Sequence, residues 1–101
     1  MTIVWSPLAI ERLKEIVRYI GRDRPETAEK WAISVFAEVE RLERFPGSGR
    51  VVPEQKRDDI REIIFGNYRI IYRLDMDRVI VLTVRHGKQI LTVNHIPADR
   101  Q

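Results

Sequence analysis

The segment spanning residues 60–74, IREIIFGNYRIIYRL, constrains the fold of this chain more than any other. Gly66-Asn67 separates two runs rich in β-branched and aromatic residues, a pattern typical of a hairpin with a two-residue turn. The turn sets the following residues opposite each other: Phe65 and Tyr68, Ile63 and Ile70, and Arg61 and Tyr72. Residues in direct register share a face of the sheet. The sequence therefore predicts a pair of antiparallel strands with two distinct faces.

The two faces of this hairpin differ in polarity. One is almost entirely apolar and is expected to be buried; it carries Ile63, Phe65, Tyr68, Ile70 and Tyr72. The other is an apolar strip flanked by charge and is expected to be half-exposed; it carries Ile60, Glu62, Ile64, Arg69, Ile71 and Arg73. This pattern is typical of a sheet that packs on one side only.

Two amphipathic helices precede the hairpin. Residues 3–5 form a short apolar run, expected to be a strand, and Ser6-Pro7 then indicates a helix with serine as N-cap and proline in the first turn. An apolar stripe continues to Gly21, where the helix should end. A second helix is expected from Pro25 to about Arg44. The short link between them predicts an antiparallel helical hairpin.

A third sheet strand is expected after the hairpin. Residues 51–59 form a polar connection into the hairpin, and residues 78–85 follow it as a near-continuous apolar run. Such a run is typical of a central strand covered on both faces. Residues 90–93 are a candidate edge strand. The sequence thus predicts an α+β fold: an N-terminal strand and an antiparallel helical hairpin packed on a twisted, mainly antiparallel sheet, with the position of the first strand left open.

Composition limits the classes of function. The 101 residues predict a single domain spanning 1–101, with 44% hydrophobic and 33% charged residues. There is no cysteine, and with only two histidines no metal site is expected. The apolar runs are too short to span a membrane, and no signal peptide is evident, so a cytoplasmic location is expected. The net charge is +3, but 15 acidic residues are spread throughout, and direct nucleic-acid binding is not expected.

Several segments together resemble the ParE branch of the RelE/ParE toxin superfamily. They are, in chain order, WSPxA from Trp5, FPxxGRxVPE from Phe45, RExxxGNYRIIYR from Arg61, and VRHGK from Val84. The match covers almost the whole chain, in the order and spacing of the family. Each segment alone is weak, but the GNYRIIY hairpin combined with the PxxGR link is specific.

The resemblance implies the toxin of a type II toxin–antitoxin pair, neutralised by a small, ParD-like antitoxin with which it forms a hetero-oligomer. ParE-like toxins are associated with inhibition of DNA gyrase, so the chain is expected to inhibit a topoisomerase by binding rather than to act as an enzyme, and no cofactor is expected. RelE-like relatives share the fold but cleave mRNA in the ribosome. The fold alone does not choose between these activities.

The nuclease alternative would rest on Arg69, Lys88 and His95. RNA cleavage needs acid–base catalysis and stabilisation of phosphorane charge. Arg69 matches the arginine of the family's GxYR segment, and His95 lies near the position of a late catalytic tyrosine. Glu62, however, stands where RelE-like nucleases carry lysines, and its charge would repel a phosphate. Glu62 is also expected to pair across the hairpin with Arg69 and Arg73. Such an exposed ion pair contributes at most about 1 kcal/mol to stability. Gln89 occupies the place of an expected catalytic arginine.

A binding toxin needs only suitable surfaces. An antitoxin helix is expected to bind apolar residues of the helical hairpin that lie outside the core stripes or at the edges of those stripes. These residues are Leu8, Tyr19, Trp31, Ile33 and Phe36. The antitoxin could also add a strand to an open sheet edge, and the basic balance suits an acidic antitoxin segment. Three cations and one histidine are the candidates for binding the target: Arg69, Arg73, His86 and Lys88.

Overall fold

The computed structural model describes residues 1–87, which form a helical hairpin lying against a five-stranded sheet. In chain order the elements are β1 (Thr2–Trp5), α1 (Pro7–Gly21), α2 (Pro25–Glu40), a short 3-10 helix (Arg41–Glu43), β2 (Arg50–Val51), β3 (Ile60–Phe65), β4 (Tyr68–Asp75) and β5 (Arg78–His86). This confirms the α+β class. The candidate strand at residues 90–93 lies outside the described residues.

The helices begin where the sequence predicts. The Ser6 side chain accepts a hydrogen bond from the Ala9 N–H (3.1 Å) and donates one to the Leu82 carbonyl oxygen (2.9 Å), so it caps α1 and ties that helix to β5. Pro25 opens α2. This helix is shorter than expected, because its last turn tightens into the 3-10 helix before the chain breaks at Pro46.

The sheet has the order β1-β5-β4-β3-β2. The β3–β4 register is the expected one, with Phe65 opposite Tyr68 and Ile63 opposite Ile70. Gly66 has φ +59°, which a glycine adopts without strain at the first position of a type II′ turn. The open question of the first strand is resolved for residues 1–87. Among these described strands, β1 lies at the edge and pairs with β5 in parallel, while the other strand pairs are antiparallel.

The core between the helices and the sheet uses the hairpin face that the sequence indicates. It is built from Ala9, Leu13, Val35, Val39, Ile70, Val81 and Val84. Tyr68, Phe65 and Ile63 pack against this core, and Trp31 meets Tyr68 edge to face with ring centroids 5.2 Å apart. None of the helices in residues 1–87 is long and apolar enough to cross a membrane.

The expectation of a half-exposed second face is wrong for most of that face. Ile60, Glu62, Arg69 and Ile71 are buried, while Ile64 is exposed. The physical reason is the connection at residues 51–59, which is not merely a polar loop. It begins with Val51 in β2 and then places Val52 in a second cluster with Ile60, Ile71, Ile80 and Leu82. The sheet is therefore covered on both faces near its centre, as β5 was expected to be.

Candidate functional site

The most highly charged feature of the covered sheet face is a cluster of alternating arginines and glutamates. Glu62 on β3 is 1% exposed and Arg69 on β4 is 5% exposed. Arg69 Nε donates to Glu62 Oε1 at 2.6 Å, and Arg50 Nε donates to Glu62 Oε2 at 2.5 Å. Both carboxylate oxygens of Glu62 are thus paired with cations, which is what a fully buried carboxylate requires.

Glu54 completes this cluster from the connection that crosses the sheet. Its carboxylate receives two hydrogen bonds from the two terminal nitrogens of Arg69, each 2.8 Å long, in a bidentate arrangement. Glu54 first, and Glu62 with it, raise the pKa of Arg69 against the opposing effect of burial. Arg69 therefore stays charged and clamps residues 52–59 to the sheet. We call Arg50, Glu54, Glu62 and Arg69 the ion cluster.

The preceding loop is fixed by a second set of hydrogen bonds. The hydroxyl of Tyr72, a fully buried residue, donates to the Pro46 carbonyl oxygen (2.8 Å) and accepts from the Gly49 N–H (3.0 Å). Arg61 donates to the carbonyl oxygens of Gly49 (2.9 Å) and Asp58 (3.1 Å). The PxxGR link of the sequence is thus a structural motif that holds the chain against the hairpin.

The expected diagonal pairing of Glu62 with Arg69 is present, but the idea that it is an exposed pair of small energetic effect is wrong. Covering the sheet face removes both side chains from water, and breaking a buried pair typically costs about 3–5 kcal/mol. The guanidinium of Arg69 is directed at two carboxylates of its own chain. To meet a phosphate, Arg69 would have to leave both Glu54 and Glu62.

The other candidate residues of β4 and β5 are placed differently. Arg73, further along β4, is largely buried, with one terminal nitrogen 3.9 Å from an Asp75 oxygen. His86 ends β5 on the helix side and meets Tyr68 edge to face, with ring centroids 5.7 Å apart. Lys88 and His95 lie outside the described residues. Within residues 1–87, no group of three or more His, Cys, Asp or Glu side chains is placed to hold a metal ion.

The five candidates on the helical hairpin divide into exposed and packed residues. Tyr19 on α1 is 67% exposed and Ile33 on α2 is 61% exposed. Phe36 is 41% exposed but also contacts Trp5, with ring centroids 5.0 Å apart and the rings inclined by 55°. Trp31 packs on the core, and Leu8 is half-buried. Tyr19, Ile33 and Phe36 are therefore the members of this set most available to a partner.

Two of the grooves beside these helices also reach the sheet. One, of about 290 Å³, runs between the end of α2 and the edge of β3 and includes Glu38, Arg41, Ser48 and Ile64. The other, of about 440 Å³, lies between α1 and the ends of β4 and β5 and includes Arg12, Ile16, Tyr68 and His86. Both grooves are lined by charged and apolar side chains together.

Sequence reasoning missed Glu54 and Gly49 as key residues. Glu54 belongs to the VPE segment of the resemblance, but nothing local shows that it reaches a β4 arginine 15 residues away. Gly49 lies so close to the sheet that an added Cβ would stand 2.5 Å from the Tyr72 hydroxyl oxygen and 2.6 Å from the Glu62 carbonyl oxygen. The glycine in the PxxGR sequence is the one feature that could have indicated how closely this loop approaches the sheet.

Comparison with known proteins agrees with this architecture. Residues 3–91 match the family described as "ParE toxin of type II toxin-antitoxin system, parDE". The chain belongs to this family and is a type II toxin of the ParDE class, which confirms the resemblance that the sequence motifs indicate.

A sequence relative and a solved structure are also similar to this chain. The protein named "Putative toxin Y4kP" from Sinorhizobium fredii is 35% identical over 89 residues, which cover 86% of this chain and 88% of that protein. The solved structure titled "Chromosomal ParDE TA system from P. aeruginosa" superposes with a TM-score of 0.74 over 87% of this chain and 97% of that one. Its identity is 18%, so this likeness shows the shared fold alone.

Proposed function

We propose that this toxin arrests growth by binding and inhibiting DNA gyrase, and that a cognate ParD-like antitoxin neutralises it in a hetero-oligomeric complex. Membership of the ParE family carries this proposal. The target and the antitoxin both place its action in the cytoplasm. Binding a target or an antitoxin requires accessible surfaces rather than a catalytic constellation, and the exposed side chains of the helical hairpin supply one for the antitoxin.

The ion cluster favours binding over ribonuclease chemistry. A RelE-type nuclease would use Arg69 to stabilise charge on a phosphate. Here that cation already meets Glu54 and Glu62 at 2.6–2.8 Å, inside a covered face. We therefore assign Arg69 and the largely buried Arg73 to positioning the sheet, and keep His86 and Lys88 as candidates for contact with the target.

A direct test measures both activities on the purified toxin. Gyrase supercoiling of a relaxed plasmid should be inhibited, or cleaved DNA should accumulate, while mRNA in a translation reaction stays intact. Codon-phased mRNA cuts with unaffected gyrase would refute the gyrase proposal in favour of the nuclease. A folded toxin without effect in either assay would refute the proposed target.

A matched pair of variants separates a catalytic Arg69 from a structural one. Arg69→Ala removes the cation and leaves Glu62 with Arg50 alone, so a loss of toxicity in this variant is ambiguous. Glu54→Ala opens the same clamp but keeps the cation. The binding proposal expects both variants to lose stability and toxicity together. A stable Glu54→Ala toxin that retains growth arrest, beside an equally folded but inactive Arg69→Ala toxin, would favour phosphate chemistry at Arg69.

For the antitoxin we propose the exposed apolar residues of the helical hairpin, centred on Ile33 and Phe36 and extending to Tyr19, Leu8 and Trp31. An amphipathic antitoxin helix would bury such residues, as in other helix-in-groove complexes. Ile33→Asp should weaken antitoxin binding at least tenfold in calorimetry. Ser34→Asp is the matched control, because it adds the same charge at the next exposed position of α2. Equal effects of both variants would refute Ile33 as a contact.

A further inference from the structure

The outer face of α1 carries a row of cations that the proposed gyrase and antitoxin contacts do not explain. Lys14 and Arg18 on α1 and Arg22, which caps the helix in helical conformation, follow each other at intervals of four residues, so they lie along one line. All three are exposed, and within residues 1–87 none of their side chains forms an ion pair or hydrogen bond. Tyr19 projects beside them and is 67% exposed.

The neighbouring acidic groups only partly offset this charge. Glu15 is held by Arg12 at 2.7 Å, so its carboxylate is already paired. Glu11 lies one turn before Lys14 and is exposed, and Asp23 follows Arg22. An open groove of about 700 Å³ follows the C-terminal half of the row, lined by Glu15, Arg18, Tyr19, Gly21 and Arg22. The row therefore presents a net positive surface next to a concave one.

We propose that Lys14, Arg18 and Arg22 bind the phosphate backbone of duplex DNA. The side chains are the appropriate donors, since lysine and arginine are common contacts of phosphate oxygens. The dimensions also agree. Eight residues of helix span about 12 Å. Along the duplex axis, each DNA strand has one phosphate about every 3.4 Å, so this length corresponds to three to four phosphates for the three cations.

The composition of α1 favours DNA over an acidic helical peptide. A bound helix needs apolar anchors at successive turns. The exposed residues of α1 are Pro7, Glu11, Lys14, Glu15, Arg18 and Tyr19, of which only the proline and the tyrosine offer apolar surface. The exposed apolar side chains lie instead on α2, at Ile33 and Phe36. Phosphate binding needs charge and donors without such anchors. The total charge of the chain did not indicate this activity, but the placement of the cations does.

The test is fluorescence anisotropy of a labelled 20-base-pair duplex with the whole toxin between 50 and 200 mM salt. Three neutralised phosphates predict a slope of log affinity against log salt of about −2.7, or a loss of affinity of about 40-fold over this range. The variant Lys14→Gln/Arg18→Gln/Arg22→Gln should lose at least tenfold affinity at 50 mM salt. The substituted side chains are exposed, and circular dichroism checks that the fold is kept.

The matched control is Lys30→Gln/Arg41→Gln/Arg44→Gln, which removes the same charge from exposed positions on and after α2. Its affinity for the duplex should stay within threefold of the unchanged toxin. Equal losses in both variants would overturn the proposal, since net charge alone would explain binding. Absence of binding at 50 mM salt, or a flat salt dependence, would also overturn it. Tighter binding of a polyglutamate probe than of DNA at equal charge would assign the row to an acidic protein instead.

Discussion

At the scale of single residues, Gly49 sets how closely the loop before β2 approaches the sheet. An alanine Cβ would stand 2.5 Å from the Tyr72 hydroxyl oxygen and 2.6 Å from the backbone oxygen of Glu62, so loop and sheet would have to separate. We expect Gly49→Ala to lower the free energy of unfolding by about 1–3 kcal/mol in urea denaturation. Gly47→Ala is the control, because nothing lies within 4 Å of its added Cβ. Equal stability of the two variants would contradict the close-packing argument.

Tyr72 gives this loop a dependence on alkaline pH. Burial raises the pKa of its phenol above the unfolded value of 10.0, although the Gly49 N–H partly opposes this. Because the folded pKa is the higher one, the contribution of Tyr72 to stability is complete below pH 10 and is lost as the pH rises through the folded pKa. We expect the melting temperature to fall above pH 10, and to fall less steeply in Tyr72→Phe.

The same substitution should also lower stability at neutral pH. Tyr72→Phe leaves the Gly49 N–H and the Pro46 carbonyl without their partner, which typically costs about 1–3 kcal/mol. A variant as stable as the unchanged toxin at pH 7 would show that water replaces both hydrogen bonds.

The ion cluster shows how far residue roles follow from the sequence. The hairpin register places Glu62 diagonal to Arg69, so their pairing is predictable from the GN turn alone. Their burial is not, because it depends on Val52 and Glu54 folding back over the sheet from a segment without periodicity. Arg69, which resembles a phosphate-binding arginine in sequence, is therefore hydrogen-bonded to Glu54 and Glu62 of its own chain. The local sequence pattern therefore predicts the Glu62–Arg69 pair, whereas its burial depends on the tertiary contacts of Val52 and Glu54.

At the scale of elements, the segment 52–59 is held by a few specific contacts rather than by regular structure. Arg69 holds Glu54 through two hydrogen bonds, and Val52 fills the second hydrophobic cluster. Glu54→Gln should weaken the clamp and lower the free energy of unfolding by about 1–3 kcal/mol. Hydrogen exchange should accelerate first at the amides of residues 54–58, while those of β4 and β5 change little. Unchanged exchange in this segment would mean that Val52 alone suffices to hold it. Glu40→Gln, on the exposed side of α2, is the control.

The boundaries of elements that are set by neighbouring residues can be predicted from the sequence. The positions of strands that are set by distant partners cannot. Ser6-Pro7, Gly21 and Pro25 mark the helix ends, and each acts through its own backbone geometry. β1 has no comparable signal. Its parallel pairing joins Thr2 to Arg78 and Trp5 to Val81 across most of the chain, so several sheet positions suited the same short apolar run. β2 has only two residues and is set by its register with Arg61 and Glu62.

At the scale of the whole molecule, the helical layer presents two chemically different surfaces. α2 exposes Ile33 and Phe36, whereas α1 exposes the cation row. Apolar burial requires a complementary apolar partner, while phosphate contacts weaken with salt. The two proposed interactions should therefore be separable by substitution.

We expect opposite phenotypes from the two surfaces in cells that co-express the antitoxin. Ile33→Asp should escape neutralisation and arrest growth even with antitoxin present, because the cation row and the sheet are unchanged. The Lys14→Gln/Arg18→Gln/Arg22→Gln variant should remain neutralised and bind antitoxin with affinity within about threefold of the unchanged toxin. In gyrase assays, the inhibition that this variant causes should be weaker and less dependent on salt than that of the unchanged toxin. Joint loss of antitoxin binding and gyrase inhibition in either folded variant would show that the two surfaces form a single interface.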